Sequence, residues 1–112
     1  MIELPWPPKQ LSPNFRSRSH WPRTNALAKA RGWAKVATMG ANIGPIPDGA
    51  IKVVIGCYPP TAHARDRDNL QASCKAYLDG IADALGVNDA RFDPRVVVGE
   101  PVKHGKIVVV LG

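Results

Sequence analysis

The sequence predicts an α/β (α+β) domain over residues 1–112, a mixed sheet of about four strands with two main helices packed on it. The element order is β-α-β-α-β-β. Three observations predict it. Runs rich in β-branched residues, around Val53-Val54-Ile55, Val96–Val98 and Ile107–Leu111, have strand length and strand composition. Two longer stretches repeat apolar residues at three- and four-residue steps. The chain has 112 residues and 45% hydrophobic content, enough for one domain that buries about 65% of its unfolded-chain surface.

The elements follow in order. Ile2–Trp6 reads as a short first strand, which Pro5, Pro7 and Pro8 confine to a sheet edge or a strand end. Trp6 is read as packing and not as a platform for a base. Residues 9–22 form a basic loop in which Arg16 and Arg18 alternate with Phe15, His20 and Trp21. Residues 23–41 read as a helix, capped by Thr24 or Asn25, with Ala26, Leu27, Ala30, Trp33, Ala34, Ala37 and Met39 as apolar positions and Gly40 as its stop. Ala50–Tyr58 is a second strand whose apolar run suits a sheet covered on both faces.

Leu70, Cys74, Tyr77, Leu78, Ile81 and Leu85 lie on one stripe of a second helix, and Gln71, Lys75, Asp79 and Asp83 step by four along another face. Asp68 fits the N-cap and Gly86 the C-terminal stop. Gly80 within this helix costs roughly 1 kcal/mol against alanine, which points to a close backbone contact. Val96–Val98 and Ile107–Leu111 complete the sheet, joined by a hairpin turn at residues 102–106.

Charge narrows the function. Fifteen basic residues stand against nine acidic ones, a net charge of +6. Residues 1–35 hold seven of the cations and a single acid, Glu3, whereas six of the nine acids lie between Asp66 and Asp93. A basic arm beside an acidic cluster suits a polyanion held against a metal site. No apolar run reaches membrane length and no signal peptide opens the chain, so a cytoplasmic protein without membrane contact is expected. Cys57 and Cys74 read as buried small hydrophobes, and no glycine-rich phosphate cradle or other cofactor motif is present.

The acidic segment carries the chemistry. In an extended Arg65-Asp66-Arg67-Asp68-Asn69 segment, the two carboxylates leave the backbone on one side and repel unless a cation lies between them. Each residue also has a plainer reading. Asp68 alone is a cap, Asp66 alone a solvated loop charge, Lys75 with Asp79 a surface pair, and His63 a solvated loop histidine.

The combination Asp66-Arg67-Asp68-Asn69-Leu70, Lys75, Asp79 and Asn88-Asp89 resembles the signature of the RusA-type Holliday junction resolvases. Leu4-Pro5-Trp6-Pro7-Pro8, Leu11-Ser12-Pro13-Asn14 and His20-Trp21 resemble that family's opening. Two positions depart from it. Some members carry the lysine where this chain has Ala72, and many carry aspartate where it has Asn88. The resemblance implies a bacterial or phage-encoded, homodimeric crossover junction endodeoxyribonuclease of recombination and repair. It implies a Mg²⁺ ion, with Mn²⁺ able to substitute, on Asp66, Asp68 and Asp89, and Lys75 as the catalytic cation. DNA contacts then fall to Arg16, Arg18, His20, Arg65, Arg67, Asn69 and Lys103.

Two other classes are weighed against it. One is a non-catalytic basic DNA-binding protein, and the other an enzyme of small phosphorylated substrates. Geometry adds one further expectation. An unbroken helix from Asn69 to Leu85 would run roughly 25 Å, leaving Asp89 about 10 Å short of Asp66 and Asp68. The metal site would then have to form between two subunits whose helices pack antiparallel.

Overall fold

The computed structural model describes residues 1–63 and 65–112. Its strands are β1 (Ile2–Pro5), β2 (Ile51–Tyr58), β3 (Phe92–Val98) and β4 (Lys106–Leu111), and its helices α1 (Trp21–Gly40), α2 (Arg67–Ser73) and α3 (Lys75–Leu85). Short 3₁₀ turns cover Lys9–Leu11 and Asp89–Arg91. The sheet order is β1-β4-β2-β3: β4 runs antiparallel to both β1 and β2, and β2 runs parallel to β3. This is the expected mixed α+β architecture. No helix is long and apolar enough to cross a membrane.

Three expectations change. Residues 102–105 do form a turn, with Gly105 N–H donating to the Val102 carbonyl, but β2 lies between β3 and β4, so no hairpin joins them. Strand pairing of this kind is long-range, and local residue patterns do not encode it. The expected single helix over residues 69–85 is two helices, broken at Cys74. The sheet is covered on one face only: β2 alternates strictly, with Ile51, Val53, Ile55 and Cys57 buried and Lys52 and Val54 exposed. Val54 pairs with Val110 on the open face, and Val97 stands exposed there on β3.

The helices fill the covered face, where Ile2, Leu4, Ile107 and Val109 meet Tyr77, Leu78 and Ile81. Burying one such aliphatic side chain contributes about 1.5–3 kcal/mol. Tyr77 is fully buried and donates its phenolic hydrogen to the Pro5 carbonyl at 2.8 Å, which ties α3 to the edge strand. Burial pushes its phenol well above the usual range.

Helix α1 starts two residues earlier than expected. The Ser19 hydroxyl accepts from the Trp21 N–H, and Pro22 occupies the first turn, where its missing N–H has no cost. Thr24 and Asn25 therefore lie inside the helix. Its buried face is Ala26, Ala30, Ala34 and Thr38, whereas Leu27, Trp33 and Met39 face outward. That thin face meets Gly80 of α3. A Cβ at Gly80 would stand 2.1 Å from the Arg31 carbonyl oxygen and 2.8 Å from the Ala34 Cβ. The close backbone contact expected at Gly80 is therefore present. Alanine on one helix and glycine on the other let the backbones touch. Both sheet edges carry a proline, Pro5 in β1 and Pro94 in β3.

Candidate functional site

Asp66, not Asp68, caps the acidic helix. Its backbone is extended, and its Oδ1 accepts from the Asp68 N–H at 2.8 Å and the Asn69 N–H at 3.4 Å. Asp68 falls inside the first turn of α2. The two carboxylates therefore do not project side by side from an extended segment. They line different clefts, Asp66 with Trp6 and Asn69, and Asp68 with Lys75 and Asp89.

The break at Cys74 creates the second grouping. The Ser73 hydroxyl donates back to the Asn69 carbonyl at 2.9 Å, a contact that bends helices. Cys74 then leaves helical geometry at φ −94°, ψ 1°, with its thiol buried. The apolar stripe continues through the break because Cys74, Tyr77 and Leu78 all still reach the core. Helix α3 ends at Gly86 in the left-handed conformation, φ 67°, as a glycine stop requires. The Asn88 side chain caps the following 3₁₀ turn by accepting from the Ala90 N–H at 2.9 Å, which sets Asp89. Asparagine does this as well as aspartate, so the departure at Asn88 leaves the local fold intact.

Lys75 is the hub. Its ammonium donates to Asp79 Oδ1 at 2.5 Å and to Asp89 Oδ2. Partial burial opposes the charge on Lys75, but the hydrogen bonds from Asp79 and Asp89 outweigh it and raise its pKa. The Lys75 ammonium beside it holds the Asp89 carboxyl below its ordinary value. The Lys75 side chain thus bridges Asp79 and Asp89. It faces an open cleft of about 640 Å³ shared with Asp68 and Gln71. The sequence reading treated Lys75–Asp79 as an ordinary pair and left Asp79 out of the site. Its signals were the four-residue step from Lys75 and its place in the resemblance signature.

Asp68, Lys75 and Asp89 thus line one cleft of a single chain. The interruption at Cys74 departs from the straight helix on which the two-subunit expectation was built, and Asp68 and Asp89 border the same cleft while Asp66 does not. Among the described residues, no three His, Cys, Asp or Glu side chains lie close enough to hold a metal ion. The chemistry of the donors nevertheless fits Mg²⁺, which is usually held by one or two carboxylates, with water and substrate phosphate completing its shell. Asp68 and Asp89 offer two such carboxylates on one cleft.

The expected DNA contacts divide into groups. Arg16, Arg18 and His20 surround a shallow concavity with Phe15 and Arg23 at the mouth of α1. Arg23 donates to the Ser12 carbonyl at 2.7 Å and so anchors that loop. Arg65 donates to the Thr61 and His63 carbonyls and to the Thr61 hydroxyl, and lies over Trp6. Arg67 is exposed on the first turn of α2, and Lys103 is exposed on a turn whose Gly105 packs against Trp6 and Pro60. His63 is exposed and stands apart from the Lys75 cluster. Arg91, which the sequence reading passed over, pins the turn at residues 47–49 to the site through the Pro47 and Gly49 carbonyls.

Fold and cleft together define a two-layer α+β domain with a lysine–carboxylate cluster at a helix break. No family model matches the chain. It is 41% identical over 115 residues to an uncharacterized protein of Xylella fastidiosa (strain Temecula1 / ATCC 700964), covering 98% of this chain and 74% of the relative. The chain belongs to the family of that protein.

Proposed function

We propose that the chain is a Mg²⁺-dependent endodeoxyribonuclease that resolves four-way DNA junctions by paired phosphodiester cleavage. The observation that carries the reading is the meeting of Asp68, Lys75 and Asp89 on one open cleft, in a protein whose N-terminal third is basic. Asp68 and Asp89 would hold the cation, which supplies Lewis-acid polarisation of the phosphate and a more acidic water. The Lys75 ammonium lies where it can meet charge that builds on a phosphoryl or leaving oxygen. Asp79 is a positioning residue that keeps Lys75 beside Asp89. In the hydrolysis, a water oxygen bonds to phosphorus and a P–O bond of the backbone breaks. One product keeps the phosphate and the other gains the hydroxyl proton.

A junction needs two symmetric cuts, which supports a homodimer. The open sheet face, with Val54, Val97 and Val110 exposed, is the surface that a second copy would cover.

The capping role of Asp66 favours one competing reading, a DNA-binding protein whose acids only stabilise helix ends. Labelled four-way junction and plain duplex, each incubated with Mg²⁺ and with EDTA, separate the two. The nuclease cuts the junction in Mg²⁺ alone. Equal binding in both conditions with no cutting would leave only the DNA-binding protein. Co-expression of Asp68→Asn with Asp89→Asn chains tests where the centre lies. A centre within one chain leaves the mixed dimer inactive, and strand nicking by it would restore the shared site.

A further inference from the structure

We infer that the second cleft beside α2, between Trp6-Pro7-Pro8 and Asn69, receives an unpaired base of a nucleic-acid strand. The inference rests on the nucleic-acid reading of the Lys75 cleft and adds to it a site for the base.

Arg65 is the first support. Its guanidinium carbon lies 5.4 Å from the centroid of the Trp6 ring. Hydrogen bonds at 3.2 and 2.8 Å to the Thr61 and His63 carbonyls, and at 3.0 Å to the Thr61 hydroxyl, hold it there. A surface arginine that only attracts phosphate has no need of this. Three acceptors and an indole fix the plane of the group before any ligand arrives. A fixed guanidinium stacked on an aromatic ring extends the stack to a further flat π-system, and unpaired bases are bound on such platforms.

The walls are the second support. Pro7, Pro8 and Leu70 give the cleft apolar lining, while Asn69, Ser73 and Asp66 supply polar groups, around a volume of about 300 Å³. A base has this division itself, with apolar faces and an edge of donors and acceptors. The polar groups are not equally available. Asp66 Oδ1 is engaged by the helix N–H groups, and the Ser73 hydroxyl by the Asn69 carbonyl. The Asn69 side-chain amide makes no hydrogen bond among the described residues, so it keeps both a donor and an acceptor. That pairing matches an adenine edge. Lys9 at the rim supplies a cation for the adjoining phosphate. A small anion would leave the apolar wall unused and would face Asp66.

The experiment measures binding in EDTA, so no cleavage is needed. The full chain is titrated with a short single-stranded oligonucleotide carrying one adenine among abasic positions, and with the same strand fully abasic. Stacking and edge recognition of one base should make the adenine strand bind about tenfold tighter. Trp6 packs against the core, so the diagnostic variants are Arg65→Lys, which keeps charge and loses the plane, and Asn69→Ala. Each should bring the two strands to within about twofold while the abasic strand keeps its affinity. Equal binding of both strands by the unaltered protein, or a tenfold gap that survives both variants, would overturn the assignment. So would free deoxyadenosine monophosphate competing as well as the strand, because the site would then belong to a mononucleotide. Failure of junction cleavage leaves all of these outcomes readable, which separates this inference from the nuclease reading.

Discussion

Helix α3 takes part in two regions built on opposite principles. Along its middle, Gly80 lies against Ala30, Ala34 and the Arg31 carbonyl, a dry seam shaped by missing side-chain atoms. At its start, Lys75 stands in solvent between two carboxylates, a cluster shaped by charge. The seam fixes where the helix lies, and the cluster uses that position. Damage to the seam should therefore cost stability first. Damage to the cluster should cost chemistry and leave stability nearly alone.

The strongest way to break this contrast is at the cluster. Asp89→Asn and Lys75→Ala should each lower Mg²⁺-dependent junction cleavage by at least about a hundredfold, the usual effect of losing one charge-stabilising group. The melting temperature should barely move, because Lys75 is exposed and Asp89 only half-buried. A cleaving Asp89→Asn protein would remove the cluster from the chemistry.

The next effect is at the seam. Gly80→Ala gains roughly 1 kcal/mol of helix propensity, but its methyl would overlap backbone at 2.1 Å, and overpacking costs about 1–3 kcal/mol or more. Arg31 O belongs to a helix backbone and cannot turn aside, so the clash should prevail. Calorimetry should show a fall of roughly 10 °C, with cleavage retained at low temperature. A neutral or stabilised variant would show that the helices separate easily.

Titration sharpens the comparison further. Asp89 sits below its ordinary pKa of 3.8, so its contribution is present above that value and is lost as pH falls through the lower folded one. Lys75 sits above 10.5, so its contribution is present below that value and is lost as pH rises through the higher folded one. The cluster should stay ionised from about pH 5 to pH 10. Side-chain nitrogen and carboxyl resonances of Lys75 and Asp89 should be flat across that window, and a midpoint near neutrality for either would contradict the pairing. The smallest effect belongs to Arg31→Ala. It removes an exposed two-pronged contact with Asp83, at 2.6 and 2.8 Å, that joins α1 to α3. Melting should shift only slightly, and less in high salt.

What the sequence revealed follows the reach of each interaction. Gly80 was legible because a glycine inside a helix has a local cost that needs a local reason. Gly86 was legible as a stop for the same kind of reason. The break at Cys74 was not, because neither proline nor glycine marks it and the apolar stripe passes through it unbroken. Ser73 turning back on Asn69 leaves no trace in hydrophobic spacing. The exchange of roles between Asp66 and Asp68 has a similar origin, since either can cap and only the helix start chooses. The placement of β4 between β1 and β2 depends on contacts across the whole chain.

The prolines at the two sheet margins have a consequence for how this protein behaves when concentrated. An outer strand normally offers a row of free amides and carbonyls on which another molecule's strand can extend the sheet without limit. Pro5 and Pro94 each remove one donor from such a row and resist the flat extension it needs. Lateral polymerisation is thus disfavoured at both margins, while the valine-bearing broad side stays open to a partner. The molecule should stop at a closed pair and not grow into fibres. Such restraint keeps a concentrated protein dispersed.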